Sequence, residues 1–300
     1  MRQKDTEKHF FFIFIANFAT ININRKIPMG NIKHPEYPVI LEMENPWVGE
    51  ELCKPENALG LKPELVKRIL ALPAESLRKD LEHLIMYHIG LTCNEIPDDY
   101  DSGEQFNGVI GSSLILLAEV GNGESSLDVV LEVLRQSADF SEYHICDIGE
   151  DLFVPTICKL GQEHLDKLID YAEEPGCYEF LQCQAFTALR VMAFYNPGLR
   201  ASVVEAFSEL LRYYAEYSQS HEVDCELMGL LVSEVADLHA PELLPDIKAL
   251  FDAGVVFEGI SGDYKSVAHD IKKHDFVNPL ENFSFDAEER FKDMRKLYKS

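Results

Sequence analysis

Basic residues and long apolar runs are both scarce in this sequence. Lys and Arg number 27 against 52 Asp and Glu, which gives a formal net charge of −25. A chain this acidic repels phosphate backbones, so we do not expect a nucleic acid partner. It contains no run of about eighteen apolar residues, so we do not expect a membrane-spanning helix. The 46% hydrophobic content of 300 residues still supplies a sizeable core, which argues against a disordered chain.

The cysteines do not form a pattern that holds a metal or a disulfide framework. They are odd in number, and no two of them form a C-x-x-C pair. A chain of this size does not need disulfide bonds, so free thiols in a reducing compartment are expected. We therefore predict a cytoplasmic protein without a metal or another cofactor. The seven cysteines are Cys53, Cys93, Cys146, Cys158, Cys177, Cys183 and Cys225.

The amino-terminal region differs in composition from the rest. Phe, Ile, Asn and Lys, each of which has a codon made only of A and T, fill 14 of the 19 positions from His9 to Ile27. We expect residues 1–28 to be a disordered tail or a mis-assigned start, with translation beginning at Met29. An export signal is the alternative, but its apolar run is short and it lacks an A-x-A site. Residues 29–60 are proline-rich and predict an irregular leader, in which Trp47 anchors the segment on the first helices.

Beyond the leader, the apolar spacing is helical and repeats. Four amphipathic segments follow a more uniformly apolar helix and a short break near Gly121, Gly161, Asn196 and His239, at intervals of 40, 35 and 43 residues. This period is typical of HEAT or armadillo helix pairs. We predict an all-α protein, an α-solenoid of such pairs over residues 61–275, with a closed helical bundle as the alternative. The amphipathic segments include Leu127–Leu134, Leu165–Ala172, Val203–Tyr214 and Leu243–Phe251.

Several local features refine this prediction. A fifth, less regular pair is expected at Pro63–Leu72 and Pro73–Ile89, separated from the next by a polar loop at Thr92–Gly108. Ser125 to Asp128 has the form of a capping box. Val255–Phe257 is expected to be an extended end of the last pair, not a strand. The segment Asp263–Lys273 predicts a further helix, and the tail 276–300 a final polar helix over Asp286–Tyr298, which caps the stack or hangs off it.

Three stretches carry a resemblance to a known family. They are LPAESLRKDLEHLI (Leu72–Ile85), YHICDIGEDLFVPTICKLG (Tyr143–Gly161) and APELLPDIKALFDAGVV (Ala240–Val256). Together they resemble the bacterial domain of unknown function family 1186. The resemblance implies an all-helical repeat protein over about Leu61–Lys273 and implies no catalytic residue.

One polar cluster within the repeats is a candidate site. Carboxylates three or four residues apart share a helix face, so this cluster could receive a basic peptide or hold a cation. The alternative is a solvated helix face in an acidic protein. Arg190, inside an apolar run, is expected to pair with a carboxylate of a neighbouring repeat. The cluster consists of Tyr143, His144, Asp147, Glu150 and Asp151.

Two classes of function remain. The first is a scaffold that binds an unidentified protein partner, a basic one in view of the net charge. The second is an enzyme or metal-dependent regulator of unrecognised type that uses the Asp147–Asp151 region. The sequence contains no H-E-x-x-H, G-x-S-x-G or P-loop motif, so we favour the scaffold. It does not predict the oligomeric state.

Overall fold

A computed structural model describes residues 35–92, 108–273 and 278–297 of the chain. These residues are all-helical, with no strand among them, so the predicted all-α class is confirmed. The expectations for residues 1–28 and for most of the loop at Thr92–Gly108 lie outside the described residues. The α-helices are α1 (Pro46–Leu52), α2 (Pro63–Leu70), α3 (Ala74–Thr92), α4 (Val109–Val120), α5 (Ser125–Leu134), α6 (Ala138–His144), α7 (Gly149–Leu160), α8 (Leu165–Ala172), α9 (Glu179–Tyr195), α10 (Arg200–Tyr217), α11 (Cys225–Asp237), α12 (Leu244–Asp252), α13 (Glu258–Ser261), α14 (Tyr264–Asp270) and α15 (Ala287–Leu297).

The four amphipathic segments form α5, α8, α10 and α12, as their spacing predicts. In α5, for example, Leu127, Val130, Leu131 and Leu134 are all buried. The weaker first pair forms α2 and α3, and Val255–Phe257 is extended without being a strand. None of the helices in the described ranges has the length and apolar character needed to span a bilayer.

The start of α5 is not capped as predicted. The side-chain oxygen of Asn122 accepts hydrogen bonds from the backbone N–H groups of Glu124 (3.1 Å) and Ser125 (2.8 Å). The Ser125 hydroxyl instead donates to Glu82 on α3, 2.9 Å away. The capping-box prediction is therefore wrong, because the hydroxyl is drawn to a carboxylate of another helix and a preceding asparagine replaces it.

The helix pairs pack against one another in sequence order. Among the first helices of the pairs, α4 contacts α7, α7 contacts α9, and α9 contacts α11. Of the second helices, α8 contacts α10 and α10 contacts α12. Lys167 of α8 bridges to Asp128 of α5 at 2.6 Å, so α5 and α8 are also joined. Each apolar face is thus covered by the neighbouring pair.

The leader and the tail both return to this array. Helix α1 lies within residues 29–60, and its Trp47 ring receives the Arg68 guanidinium of α2 at 4.1 Å, so Trp47 anchors the leader as predicted. The polar helix α15 is folded back onto the start of the array. It packs against α4 and α2, which lie near the other end of the sequence.

Candidate functional site

The predicted polar cluster is divided by a break in the helix. Helix α6 ends at His144, and Cys146 adopts a left-handed backbone conformation with φ of 50°. A 3-10 turn at Cys146–Ile148 follows before α7 begins at Gly149. Because this conformation cannot continue a right-handed helix, Tyr143 does not share one helix face with Glu150 and Asp151. Tyr143 therefore lies outside the face predicted for the cluster, whereas Asp147 stands after the break, three residues before Glu150.

His144 lies in the core instead of on a surface. It is fully buried, its Nε2 lies 2.7 Å from the hydroxyl of Thr92, and its ring packs 4.6 Å from that of Phe140. Tyr143 meets the same ring edge-on, also at 4.6 Å. His144 therefore joins α6 to the end of α3, and in this structure a partner cannot reach it.

Glu150 and Asp151 occupy the first turn of α7, where a negative charge offsets the helix dipole. Both are partly exposed. The structure does not describe the side chain of Asp147. Of the predicted cluster, the structure thus leaves Tyr143, Glu150 and Asp151 partly exposed.

Arg190 has the structural partner that the sequence predicts. Its Nε donates to the Glu234 carboxylate of α11, and the Thr187 hydroxyl donates to the other oxygen of Glu234 at 2.9 Å. Burial by itself lowers the pKa of Arg190, but the charge and the hydrogen bond of Glu234 raise it by more, so the net shift is upward. This ion pair ties α9 to α11.

A second buried arginine, Arg290 of α15, was not singled out by the sequence. It is 4% exposed, and its Nη2 donates to the carbonyls of Asp151 (3.2 Å) and Leu152 (2.7 Å) and to the Thr156 hydroxyl (3.0 Å). Pro155 lies inside α7 and has no N–H for the Asp151 carbonyl four residues earlier. Arg290 thus donates to a carbonyl that the proline deprives of its usual helical partner.

The rest of the Arg290 guanidinium lacks such partners. Its Nε and Nη1 are buried and have no hydrogen-bond partner among the described residues. Burial lowers the pKa of Arg290 to about 10, although the negative charges of Glu119 and Asp151 act in the opposite direction. The cation is therefore only partly compensated.

Acidic residues line the amino-terminal ends of the first helices. Burial raises the pKa of the Glu179 carboxyl, and the charges of Asp224 and Glu226 on α11 raise it further, against a backbone hydrogen bond that lowers it. The buried Cys183 lies within electrostatic reach of both Glu150 and Glu179. We group these carboxylates as one candidate surface, which we call the acidic edge and define as Glu150, Glu179, Asp224 and Glu226.

No metal site is found in the described part of the chain, and the contact between Cys53 and His88 lacks the character of an activated nucleophile. No three His, Cys, Asp or Glu side chains there converge as a metal site requires. Cys53 Sγ lies 3.8 Å from His88 Nε2, but burial raises the pKa of this thiol and lowers the pKa of this imidazole. Both shifts oppose a thiolate–imidazolium pair, so the contact lacks the electrostatics of a cysteine nucleophile.

Comparisons with known proteins do not indicate a family for this chain. No protein-family model, curated protein or solved structure matches the chain.

Proposed function

We propose that this chain is a cytoplasmic protein-interaction scaffold built as an α-solenoid of HEAT-like helix pairs, of the kind found in the domain of unknown function family 1186. The order in which the pairs contact one another supports the solenoid, because each pair meets the next one along the chain.

The acidic edge carries the functional part of the proposal. Stacked repeats bring equivalent ends of successive helices side by side, so first-turn acids far apart in sequence become neighbours. Here these are Glu150 of α7, Glu179 of α9 and Glu226 of α11. Burial and the charges of Asp224 and Glu226 raise the pKa of Glu179, so its ionised form is disfavoured here. A basic protein partner relieves this repulsion and is also steered toward the edge by the net charge of −25.

The experiment compares two charge-neutralised variants in capture of partners from the native cell at low and high salt. The first variant carries Glu150→Gln, Glu179→Gln and Asp224→Asn. Asp224 accepts hydrogen bonds from the backbone N–H groups of Glu226 and Leu227, and asparagine preserves this cap. We expect this variant to lose a basic partner that the wild-type chain retains at low salt and releases at high salt.

The matched control removes three charges from exposed positions away from the edge, Glu163→Gln, Glu205→Gln and Glu242→Gln. It should capture the partner as the wild-type chain does, and circular dichroism should show equal helicity in both variants. If both variants lose the partner equally, net charge alone explains the capture. If neither variant loses it, the acidic edge is not the binding surface.

A further inference from the structure

Three aromatic rings form a column at the carboxyl end of α10. Tyr213 and Tyr217 are four residues apart and share one face of the helix, and their ring centroids lie 5.4 Å apart with an interplanar angle of 21°. The ring of His221 continues the column just beyond the helix, 4.2 Å from that of Tyr217 and only 11° from parallel. The two tyrosines are partly exposed and His221 is exposed, so the column ends at a ring that solvent reaches.

This aromatic column lies beside the acidic edge. At the carboxyl end of α8, the Ala172 carbonyl accepts hydrogen bonds from Gln182, in the first turn of α9, and from the Tyr214 hydroxyl of α10. The start of α9, which carries Glu179, and the last turns of α10 therefore meet at the end of α8. Beyond α10, His221 precedes Asp224 of the acidic edge by three residues.

Unpaired carboxylates adjoin the base of the column. Glu209 is exposed one turn before Tyr213 on the same face of α10. The Tyr213 hydroxyl donates to the backbone carbonyl of Glu173 at 3.3 Å. Burial raises the pKa of the Glu173 carboxyl, and the charges of Glu209 and of Asp170 on α8 raise it further. These three acids thus repel one another without a compensating cation.

The nearby basic residues of both helices are used elsewhere. Lys167 of α8 bridges to Asp128 at 2.6 Å, and Arg212 of α10 bridges to Asp246 at 3.0 Å. Neither helix has a basic residue in its last turn. The helix dipole nevertheless favours a cation at this end, because the last carbonyls carry partial negative charge. Rings, carboxylates and helix ends therefore all suit a cation supplied from outside the chain.

We infer that the aromatic column and the carboxylates of Asp170, Glu173 and Glu209 form a docking surface for an arginine-rich segment of a basic protein partner, with one guanidinium stacked on His221. The inference rests on the proposed function and gives the partner of the acidic edge a chemistry. A guanidinium is planar and extends a stack of rings, whereas an ammonium is a compact, strongly hydrated charge. Nucleic acid bases would also stack on these rings, but the carboxylates repel the phosphates that accompany them.

The test measures the affinity of the full-length chain for fluorescent octa-arginine and octa-lysine peptides by anisotropy. The wild-type chain should bind octa-arginine more tightly. The ring variant, Tyr217→Leu/His221→Leu, should lower the affinity for octa-arginine about threefold and leave that for octa-lysine unchanged. The acid variant, Asp170→Asn/Glu173→Gln/Glu209→Gln, should weaken the binding of both peptides, because its carboxylates attract either cation.

Matched controls separate these effects from general changes. Tyr195→Leu/His164→Leu removes the same two residue types from the other ends of α9 and α8 and should leave both affinities unchanged. If circular dichroism shows that Tyr217→Leu disturbs α10, His221→Leu alone replaces the ring variant, since its exposed side chain lies beyond the helix.

Loss of both peptides to the same extent in the ring variant, or of neither, would overturn the inference. The triple variant Glu150→Gln/Glu179→Gln/Asp224→Asn then shows whether the proposed function falls with it. If that variant weakens the binding of both peptides, the acidic edge still receives a basic partner and only the aromatic column is excluded. If it changes neither affinity, both proposals fail.

Discussion

The junctions α9–α11 and α4–α7–α15 each bury an arginine, and they compensate its charge differently. At the first, Arg190 meets the Glu234 carboxylate, and the pKa of Arg190 is raised despite its burial. At the second, Arg290 meets backbone carbonyls and a hydroxyl with one nitrogen only, and burial lowers its pKa to about 10. A carboxylate neutralises the cation, whereas carbonyl dipoles compensate it in part.

The two junctions also differ in where their helices stand in the chain. Arg190 and Glu234 belong to consecutive helix pairs, where neither helix can leave without exposing the core. Arg290 belongs to a terminal helix that is added to the outside of the array. A buried ion pair strongly penalises the loss of either partner, so it suits the first position, and an incompletely compensated cation suits the second.

The largest effect is expected when the first junction is made to resemble the second. Glu234→Ala leaves the Arg190 guanidinium buried without its counter-charge and removes the acceptor of Thr187. We expect the free energy of unfolding to fall by about 3 kcal/mol, as for other buried ion pairs that lose one member. Urea denaturation followed by circular dichroism measures this loss.

The double variant Arg190→Met/Glu234→Met is the matched control, because it removes both charges while keeping apolar volume. It should recover most of the stability that Glu234→Ala loses. Lys248→Ala, which breaks an exposed pair with Asp252, should leave the midpoint unchanged. If Glu234→Ala proves as mild as Lys248→Ala, the ion pair does not hold the junction together.

A smaller effect of opposite sign is expected at the second junction. Arg290→Met removes a cation that is only partly compensated, and we expect it to raise the free energy of unfolding by about 1 kcal/mol. Pro155→Ala restores a backbone N–H donor for the Asp151 carbonyl. This donor should be worth about 1 kcal/mol more in the Arg290→Met background than in the wild-type chain, because Arg290 no longer uses that carbonyl.

The four variants of this cycle can be compared by urea denaturation and by hydrogen exchange in α15. If the stability changes caused by Arg290→Met and Pro155→Ala are strictly additive, Arg290 does not substitute for the missing N–H of Pro155.

The sequence predicts the first junction and misses the second for a physical reason. Arg190 interrupts a long apolar run, so its burial and its need for a carboxylate can be read from neighbouring residues. Arg290 stands in AEERFKDMRKL, where charges surround it and only tertiary contacts show which face is covered. Pro155 can be seen in the sequence. No neighbouring residue indicates that Arg290, 135 positions later, donates to the carbonyl that this proline leaves without its helical N–H donor.

Two members of the candidate cluster, Tyr143 and His144, depart from the prediction for a related reason. Helical spacing between Tyr143 and Asp151 predicts a common face only if the helix is continuous, and the left-handed Cys146 interrupts it. His144 shows that polarity in sequence does not ensure exposure, since Thr92 satisfies its ring in the core. The acidic edge could be anticipated only in part, because each acid in a first turn is visible but their proximity depends on stacking.

The smallest effect concerns the other end of the α9–α11 junction, where like charges meet. The pKa of Glu179 is raised by burial and by Asp224 and Glu226, so the folded chain binds this proton more tightly than the unfolded chain does. Ionised Glu179 therefore lowers stability at neutral pH, and this loss is relieved as the pH falls through the raised pKa toward 4.5.

Glu179→Gln should accordingly raise the free energy of unfolding at pH 7, by less than about 1 kcal/mol, and should match the wild-type chain at pH 4. Glu234→Gln makes the identical chemical change at the same junction but removes the counter-charge of Arg190, so it should lower stability at pH 7. Urea midpoints at the two pH values measure both. Opposite signs would show that the carboxylate charge at this junction supports the fold beside Arg190 and is dispensable for the fold at Glu179. A loss in both variants would mean that Glu179 also supports the fold.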